Sequence, residues 1–422
     1  FKECKLHMKV LVVGSGGREH AIVWKLAQSP KVTKLYCAPG NGGIAELAEC
    51  VPIKATDIDS MVRFAVEKNI DLTVVAPDDP LAMGMVNALE KAGKRAFGPS
   101  AEAALIEASK SFSKQLMKKY GIPTADFNVF DSEKEAVEYL ERADYPIVVK
   151  ADGLALGKGV IIAEDKLQAV EAVRSMMSQG KFGKAGSRVV IEEYMTGPEV
   201  SVLCFTDGKT IVPMVSSQDH KRALDNDQGL NTGGMGTFSP SLHYTAEHEK
   251  FVKEHILQAT VDAMNSEGRM FKGVLYFGLM LTPKGVKVLE YNARFGDPET
   301  QVVLPRLESD LYEIFEAVID GRLDQIDIKW NVLSAVCVVM ASGGYPQSYQ
   351  TGYEITGLPV ADALVFHAGT KLDDGRLLTS GGRVLGVTAL GENIFQARDK
   401  AYSAVNKIHF KDAHYRHDIG IK

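Results

Sequence analysis

The N-terminal part of the chain shows an apolar run that gives way to glycines and then to apolar residues at helical spacing. This pattern, KVLVVGSGGREHAIVWKLA after Met8, predicts a strand, a loop and a helix in that order. Further apolar runs at 34–39 and 72–77, and a short one before 97–100, predict three more strands. Strands that alternate with helical stretches favour a parallel sheet, so residues 8–107 are predicted to form an N-terminal α/β domain.

The central part of the chain mixes short strands and helices in a less regular order. A capping box from Ser132 to Glu135 begins a helix, and the strand YPIVVKADG turns through a glycine-rich loop into GVIIAE. RVVIEEYM and the hairpin VSVLCFTDGKTIVPMV, which turns at Asp207-Gly208, are interpreted as antiparallel strands that complete this unit. The pattern predicts a mobile α+β lid at about 124–195, inside a central domain of 108–324.

A long polar segment, DHKRALDNDQGLNTGGMGTFSP at 219–240, is predicted to be a loop with the freedom to fold over a ligand. A helix at 245–267 and a hairpin that ends near Glu290 complete the central domain. Short strand patterns return from Val332, and an amphipathic helix at 393–408 follows them. Residues 325–422 are therefore predicted to form a small mixed α/β lobe, which makes the whole chain an α/β protein of three parts.

Composition narrows the possible functions. The 422 residues are 45% hydrophobic, enough for more than one core, and the net charge of −6 gives no electrostatic case for coating nucleic acid. The five cysteines are scattered without a CxxC pair, so neither a disulfide framework nor a zinc cluster is predicted. The absence of a membrane-length apolar run and of a signal-peptide pattern favours a cytoplasmic protein. Residues 1–7 are interpreted as an appended remnant or a disordered extension.

Candidate chemistry is concentrated in the stretch GVKVLEYNARFGDPET, which predicts a strand. Side chains two residues apart in a strand point the same way, so Glu290, Asn292 and Arg294 are expected to share one face. Carboxylate and amide oxygens suit Mg²⁺, and a guanidinium suits phosphate or carboxylate groups. Taken alone, the same alternation also fits an edge strand with a solvated polar face.

The loop KADGLALGKGV carries Lys150 and Lys158 at its ends, with glycines at 153, 157 and 159. Glycines allow backbone amides to approach an anion closely, and the lysines add positive charge, so the loop is predicted to hold a polyphosphate. It is not a P-loop of the Walker type, because Gly159 and a strand follow Lys158 where Ser or Thr and a helix are required. A mobile hairpin tip with incidental lysines is the alternative.

Two further segments each fit two interpretations, and only other motifs in the chain decide between them. The bend in VVIEEYMTGPEVSV, with Glu192, Glu193 and Glu199, suits a purine and ribose site but equally a solvated turn. GSGGRE invites a dinucleotide-binding fingerprint, but that motif needs a third glycine where the chain has Glu19. No acidic residue ends an obvious second strand, so the dinucleotide alternative is rejected.

Four features follow one another along the chain: the loop with Lys150 and Lys158, the bend with Glu192, Glu193 and Glu199, the glycine-rich segment at 219–240, and the strand with the Glu-x-Asn-x-Arg pattern. In this order they resemble the ATP-grasp superfamily of carboxylate-amine ligases. The closest resemblance is to the glycinamide ribonucleotide synthetase family, carried by GSGGREHAIVWKL, APGNGG, FGPS, KADGLALGKGV, SSQDHKR, NTGGMGTFSP, EYNARFGDPETQ, FHAGTKL and GGRVLGVTALG. It extends from Met8 nearly to the C-terminus. The chain departs from the family pattern at Leu156, Asp78 and Leu230, positions that concern substrate geometry and not the reaction class.

The resemblance implies an enzyme that joins glycine to 5-phosphoribosylamine through glycyl phosphate in de novo purine biosynthesis, with ATP as a substrate and Mg²⁺ or Mn²⁺ as cofactor. It implies an N-terminal substrate-binding domain, a central ATP-grasp domain, small-molecule partners only, and a monomer or weak dimer. The site residues that it implies are, for metal, Glu290 and Asn292; for catalysis, Arg294, Asp219 and Lys221; for ATP, Lys110, Lys150, Gly157, Lys158, Gly159, Glu192, Glu193, Tyr194 and Glu199; and for the other substrates, Gly14, Gly16, Gly17, Asn41, Asn231, Thr232 and Gly233.

Two other functions remain as alternatives. A catalytically inactive binding protein would be expected to lack a ligand of the metal strand, whereas both Glu290 and Asn292 are present. The main competitor is another ATP-grasp ligase that acts on a purine intermediate or an amino acid.

Overall fold

The computed structural model describes residues 7–155 and 158–421. Predictions made for residues 1–6, and for Leu156 and Gly157 in the glycine-rich loop, lie outside this range. Within the described part of the chain, no helix has the length and apolar character needed to cross a membrane.

The N-terminal unit is a five-stranded parallel sheet with the strand order β3-β2-β1-β4-β5. Its elements are β1 (Met8–Gly14), α1 (Gly17–Leu26), β2 (Val32–Pro39), β3 (Glu49–Cys50), α2 (Ile58–Glu67), β4 (Leu72–Val75), α3 (Asp78–Ala82), α4 (Met85–Lys91), β5 (Ala96–Phe97) and α5 (Ala101–Ala108). The central strand β1 is buried from Val10 to Gly14, which is why it reads as a continuous apolar run. The predicted parallel sheet is confirmed.

The next unit is a four-stranded antiparallel sheet, in the order β6-β9-β7-β8, with two helices packed on it. It comprises α6 (Lys110–Tyr120), which leads into it, and β6 (Phe127–Phe130), α7 (Glu133–Leu140), β7 (Ile147–Ala151), β8 (Val160–Ala163), α8 (Lys166–Met177) and β9 (Val189–Glu193). The helices and the sheet bury their own apolar cluster, which includes Leu140, Val149 and Val173. A unit with its own core is able to move as a body, as a lid requires.

The remaining elements build two larger sheets and two two-stranded ones. They are β10 (Glu199–Thr206), β11 (Ile211–Pro213), β12 (Gln218–Asp219), β13 (Arg222–Leu224), β14 (Gln228–Asn231), β15 (Gly236–Ser239), α9 (Ala246–Val252), α10 (Gln258–Ser266), β16 (Gly273–Thr282), β17 (Gly285–Asn292), α11 (Thr300–Val303), α12 (Leu311–Asp320), β18 (Ser334–Ala341), β19 (Leu364–His367), β20 (Thr370–Asp373), β21 (Arg376–Thr379), β22 (Arg383–Gly391) and α13 (Ile394–Val405). One larger sheet has the order β11-β10-β16-β17, and the other has the order β12-β15-β18-β22-β19. The two-stranded sheets are β13-β14 and β20-β21.

The β10–β11 hairpin corrects one prediction, because it does not complete the lid. β10 pairs with β16 along its whole length, with Val200 opposite Leu279. In the lid, β9 is already paired on both edges, by β6 and by β7, and has no edge left for the hairpin. Both strands are apolar and almost entirely buried in this sheet.

The segment at 219–240 corrects another prediction, because it is not a loop without secondary structure. It contains β13 and β14, which form a small hairpin, and β15, which pairs with β18 of the C-terminal sheet. Phe238 on β15 is fully buried in the core of that sheet. The sequence pattern did not predict β15, because glycines surround it and Phe238 is its one large apolar residue.

A pair of buried histidines joins the N-terminal unit to the C-terminal sheet. The Nδ1 atom of His20 on α1 accepts a hydrogen bond of 2.7 Å from the backbone N–H of His367 on β19. Burial lowers the pKa of His20 to about 3, with His367 adding to the effect, and burial lowers the pKa of His367 to about 4. Both rings are therefore neutral in the folded protein at pH values where an unfolded chain would protonate them.

This pair predicts a specific acid sensitivity. Because the folded-state pKa values lie below the usual 6.5, the unfolded state binds protons first, and stability falls as the pH drops from about 6.5 towards 3. His20→Gln keeps a hydrogen-bond acceptor but cannot titrate. We expect it to reduce the pH slope of the unfolding free energy between about pH 4 and 6 by up to about 1.4 kcal/mol per pH unit, measured by urea denaturation.

The matched control for the acid sensitivity is His243→Gln, because His243 is exposed. It should leave the slope unchanged. Equal slopes in wild type and His20→Gln would contradict a neutral, buried His20.

Candidate active site

The strand predicted to carry the metal ligands is β17. Charged side chains from several segments gather around its end, and the region that they line is called the cleft. Glu290 and Asn292 are both half-buried, and their separation of two residues places them on the same side of the strand. The strand ends at Asn292, so Arg294 lies just beyond it. The structure thus brings the three predicted residues together, with Arg294 held by a neighbouring helix.

That helix is α5, and the residue that holds Arg294 is Glu107, which sequence reasoning missed. The Glu107 carboxylate lies 3.0 Å from Nε of Arg294 and accepts a hydrogen bond of 3.2 Å from the backbone N–H of Ala293. When the amide nitrogen of Asn292 faces Glu107, it donates to the same carboxylate at 3.3 Å, which turns the amide oxygen of Asn292 away from it. Burial raises the pKa of Glu107 to about 7, against the opposing effect of Arg294. The available signal was a single carboxylate in the otherwise apolar end of AEAALIEA.

A second group of charges is buried where the lid sheet meets α6. Lys150 on β7 lies 3.1 Å from Glu192 on β9, and Lys114 on α6 lies 3.5 Å from the other oxygen of Glu192. The exposed fractions of these side chains are only 6%, 3% and 3%. Burial lowers the pKa of Lys114 to about 8, although Glu192 opposes the shift. Glu192, predicted to bind ATP, is therefore an internal counter-ion for two lysines, of which Lys114 was missed.

The glycine-rich loop is fixed at its base to the start of α6. Lys110 donates from Nζ to the carbonyl oxygen of Gly153 at 3.2 Å, and Asp152 accepts a 2.6 Å hydrogen bond from the N–H of Ser111. Burial lowers the pKa of Lys110. Lys158 is exposed. Gly159 lies so close to neighbouring backbone and side chains that a Cβ would come within 2.8 Å of Ala155.

Lys221, predicted to be catalytic, links two predicted ligand sites. Its Nζ atom lies 3.1 Å from the carboxylate of Glu199 and 3.9 Å from that of Glu290. Glu199 raises the pKa of Lys221 well above its usual value. Asp219, two residues earlier on β12, has its pKa raised to about 7 by burial, and Lys221 opposes this effect.

The charges around Glu290 show how the cleft is organised. Burial acts to raise the pKa of Glu290, but four cations outweigh it and lower this pKa. The four cations are Lys221, Lys150, Lys110 and Arg294. Lys110 lies on α6, Lys150 on β7, Lys221 between β12 and β13, and Arg294 just after β17, so cations from four segments surround one carboxylate and form a cationic pocket. Such a pocket suits a polyphosphate together with a divalent cation.

The remaining residues of the predicted purine hinge point elsewhere. Because side chains alternate along β9, Glu193 faces away from Glu192 and pairs with Lys287 at 3.2 Å. The backbone N–H of Glu193 is already bonded to Asp126 at 2.9 Å. Tyr194 is 42% exposed. The hinge contacts to a purine stay a prediction.

The glycine loop after β1 begins α1, whose N-cap residue Gly16 offers no side-chain cap. The carboxylate of Asp297 accepts a hydrogen bond of 3.4 Å from the backbone N–H of Arg18 in the first turn. Gly14 has a φ of +128°, and a Cβ there would meet Glu19 at 2.2 Å. A Cβ on Gly16 or Gly17 would approach Asp297 or Gln301, so the segment after β17 packs against this loop. The helix N-terminus can attract an anion through its dipole and through the other N–H groups of its first turn.

Asn41 holds two loops together. Its amide nitrogen donates to the carbonyl oxygens of Ser15 and His367, both at 2.8 Å, and its oxygen accepts from the N–H groups of Gly43 and Ile44. Both polar atoms of the Asn41 side chain, the amide nitrogen and the amide oxygen, therefore form hydrogen bonds within the protein. Its position supports the glycine loop, and direct contact with a substrate stays a prediction.

The predicted residue Asn231 ends β14, and Thr232 and Gly233 lie in the turn that follows it. Thr232 bonds the carbonyl oxygen of Lys221 twice, through its N–H at 2.7 Å and its hydroxyl at 2.8 Å. The N–H of Gly233 donates to the Tyr345 hydroxyl at 3.1 Å, and Asn231 is exposed. This turn therefore fixes the backbone of Lys221 from the C-terminal side of the cleft.

Family models match three consecutive parts of the chain. Residues 8–107 match the phosphoribosylglycinamide synthetase N domain, residues 108–300 match its ATP-grasp (A) domain, and residues 335–422 match its C domain. A phosphoribosylamine--glycine ligase of Caldanaerobacter subterraneus is 50% identical over 413 residues, which is 98% of this chain and 99% of that protein. The human trifunctional purine biosynthetic protein adenosine-3 is 49% identical over 421 residues, which is 98% of this chain and 42% of the human protein.

Solved structures show the same likeness. The crystal structure of a phosphoribosylamine--glycine ligase from Thermotoga maritima aligns with a TM-score of 0.84 and 34% identity, over 97% of this chain and all of that one. The biotin carboxylase domain of the Hydrogenobacter thermophilus 2-oxoglutarate carboxylase, in complex with MgADP, aligns with a TM-score of 0.76 over 97% of this chain and 92% of that one. At 15% identity, this second alignment shows a shared fold only.

Proposed function

Because the chain belongs to the phosphoribosylglycinamide synthetase family, we propose that it uses ATP to join glycine to 5-phosphoribosylamine, with glycinamide ribonucleotide, ADP and phosphate as products. The observation that carries this proposal is the cationic pocket around Glu290, in a chain that matches the family over its N, A and C domains. The pocket offers phosphate-binding cations and hard oxygen ligands in one place, which phosphoryl transfer from ATP needs.

A carboxylate is a poor electrophile, so the first step activates glycine. An oxygen of the glycine carboxylate attacks the γ-phosphorus, the bond to the β,γ-bridging oxygen breaks, and ADP leaves with that electron pair. Lys110, Lys150 and Arg294 are the residues proposed to hold the phosphate oxygens and offset their charge. Lys158 and Gly159 of the glycine-rich loop are proposed to cover the same phosphates, and Glu199 to bind the ribose of ATP.

The second step forms the amide. The ribosylamine nitrogen attacks the carbonyl carbon of glycyl phosphate, the bond to the phosphate oxygen breaks, phosphate leaves, and the nitrogen loses a proton. Asp219 is proposed to accept this proton, and Lys221 to offset charge on the departing phosphate. Water would hydrolyse the intermediate, so the lid formed by β6–β9, α7 and α8 is proposed to close first.

The donors on β17 fit a divalent metal ion. Glu290 offers a carboxylate, and Asn292 can turn its amide oxygen away from Glu107. Among the described residues, no group of three His, Cys, Asp or Glu side chains could hold a metal alone. This agrees with Mg²⁺, which keeps waters and substrate phosphates among its ligands. Bound there, Mg²⁺ or Mn²⁺ would neutralise phosphate charge.

The glycine loop Gly14, Gly16 and Gly17 is proposed to hold the phosphate of the ribosylamine at the N-terminus of α1. Asn231, Thr232 and Gly233 are proposed to border the glycine and amine sites from the opposite side. We further propose a cytoplasmic enzyme that works on these small molecules as a monomer or weak dimer.

The proposal is tested by product analysis. Purified protein is incubated with ATP, Mg²⁺, glycine and freshly prepared 5-phosphoribosylamine, and ADP and glycinamide ribonucleotide are quantified by chromatography and mass spectrometry. ADP formation should require all the substrates. If ADP forms equally well without glycine, the chain is a different ATP-grasp ligase, and other amino acids and purine intermediates become the next substrates to test.

Glu107→Gln is expected to weaken metal activation, because the charge that positions Arg294 and Asn292 is lost. Outer partners of metal ligands commonly contribute about 10- to 100-fold in metal affinity or activity. We therefore expect the Mg²⁺ concentration for half-maximal activity to rise about tenfold or more. Glu102→Gln on the same helix is the control, since Glu102 is exposed and bonds Asn87. Unchanged Mg²⁺ dependence in Glu107→Gln would contradict the positioning role.

A further inference from the structure

The segment at 414–419, after the last helix, crosses the hairpin formed by β13 and β14. His414 bonds the carbonyl oxygen of Ala223 through its ring Nε2 at 2.7 Å. The N–H of His417 donates to Asp225 at 2.7 Å, and Asp418 accepts a hydrogen bond of 3.0 Å from the N–H of Asn226. These bonds span about 190 residues of sequence and attach the hairpin to the C-terminal lobe.

Arg416 is the centre of this attachment and is fully buried, with 0% of its side chain exposed. It pairs with Asp418 through Nε at 2.8 Å and Nη2 at 2.7 Å. The same guanidinium lies 3.0 Å from Asp227 and donates to the carbonyl oxygen of Arg222 at 3.1 Å. A buried guanidinium costs free energy unless its donors are satisfied, so the hairpin residues that satisfy it are held in one position.

The hairpin in turn fixes the catalytic side of the cleft. Arg222, whose carbonyl Arg416 holds, directly follows Lys221, and Thr232, which follows β14 at the same open end of the hairpin, bonds the carbonyl oxygen of Lys221. Lys221 reaches Glu199 and Glu290. A chain of direct contacts thus leads from the buried Arg416 to the carboxylates of the nucleotide and metal sites.

We propose that Arg416 is a positioning residue, and that the segment at 414–419 is a latch that holds the β13–β14 hairpin so that Lys221 is aligned for ligation. The latch contacts no proposed substrate site directly. Its effect on catalysis rests on the proposed function, whereas its effect on the hairpin does not.

The test measures both effects in the full-length protein. Hydrogen–deuterium exchange with mass spectrometry follows residues 221–234 without substrate, and steady-state kinetics follow the ligation. Arg416→Gln should speed exchange in this peptide about tenfold, as loss of a charge-assisted hydrogen bond implies. It should also lower kcat about tenfold with a smaller rise in the KM for ATP, because Lys110 and Lys150 lie on other elements and Lys221 contacts the nucleotide site only through Glu199. Arg416→Lys should recover part of both losses.

The control for losing a buried guanidinium is Arg306→Gln. Arg306 is also buried, but it bonds Ser239 and Asn331, outside the hairpin. Arg306→Gln should leave exchange at 221–234 as in wild type. Unchanged exchange in Arg416→Gln, or an equal increase in Arg306→Gln, overturns the latch.

A milder variant covers the case in which Arg416→Gln does not fold. Asp227→Asn removes the charge of a partner that is half exposed, while Arg416 keeps Asp418. Faster exchange by about threefold supports the latch, and wild-type exchange overturns it. Should the wild-type protein make no glycinamide ribonucleotide, the proposed function fails, and exchange alone decides on the latch.

Discussion

Glu290→Ala is expected to abolish turnover and to leave the melting temperature near that of wild type. Glu290 is the carboxylate at the centre of the cationic pocket, and removing it takes away a ligand for the metal that offsets phosphate charge. Removing a single preorganised group that stabilises transition-state charge costs about 100- to 1,000-fold in kcat, and loss of a metal ligand is expected to cost at least as much. Stability should be maintained because the cations nearby keep their other partners: Lys150 keeps Glu192, Lys221 keeps Glu199, and Arg294 keeps Glu107.

The comparison for Glu290→Ala is Lys287→Ala on the same strand. Lys287 pairs with Glu193 and not with the pocket, so turnover should stay near wild type. Steady-state rates at saturating ATP and Mg²⁺, together with thermal melts of each protein, separate the two effects. If the Glu290→Ala protein unfolds, Glu290 is needed for the stability of the fold. If the variant keeps its turnover, Glu290 is excluded as a metal ligand.

Glu192→Ala is expected to cause the largest loss of stability, about 3–5 kcal/mol in the free energy of unfolding. The substitution leaves the ammonium groups of Lys114 and Lys150 buried without their shared carboxylate. The loss should be smaller at high pH. In wild type, burial lowers the pKa of Lys114 to about 8 although Glu192 opposes the shift, so removing Glu192 lowers this pKa further. Between that lower value and about pH 8, only the variant holds a neutral Lys114 in its folded state, and its loss of stability relative to wild type shrinks as pH rises towards 8. MgATP should restore part of the stability if its phosphates pair with Lys150.

Urea denaturation of wild type and Glu192→Ala at about pH 6 and about pH 8 measures this effect of pH on the loss of stability. Glu193→Ala is the matched control, because the neighbouring side chain on β9 makes a partly exposed pair with Lys287, and pairs near the surface contribute about 0–1 kcal/mol. If the two variants lose equal stability, the buried lysine pair is not held by Glu192. If MgATP has no effect on Glu192→Ala, Lys150 does not meet a phosphate.

The local patterns of the chain determine much of this site. The alternation of β17 places Glu290 and Asn292 on one side because side chains repeat every two residues in a strand. The glycine-rich loop with Lys150 follows from its composition, and the parallel sheet follows from apolar runs separated by helices. Each of these inferences needs only residues that are near one another in sequence.

The residues that reasoning missed are set by distant contacts. Glu107 lies on α5 and Lys114 on α6, yet their partners Arg294 and Glu192 come from β-rich segments far along the chain. The hairpin β10–β11 paired with β16 instead of the lid, because both edges of β9 were already occupied. No local pattern states which strand edge is free or which carboxylate will be buried beside a lysine.

By itself, the sequence determined the secondary structure periods, the glycine turns and the ligand pair on β17, since these depend on neighbours a few residues apart. Only the tertiary structure decided that Glu192 serves two lysines, that Glu107 holds Arg294, and that Arg416 fixes the hairpin beside Lys221. The reason is that burying a charge costs free energy unless an opposite charge is packed against it, and that partner is supplied by the folding of remote segments.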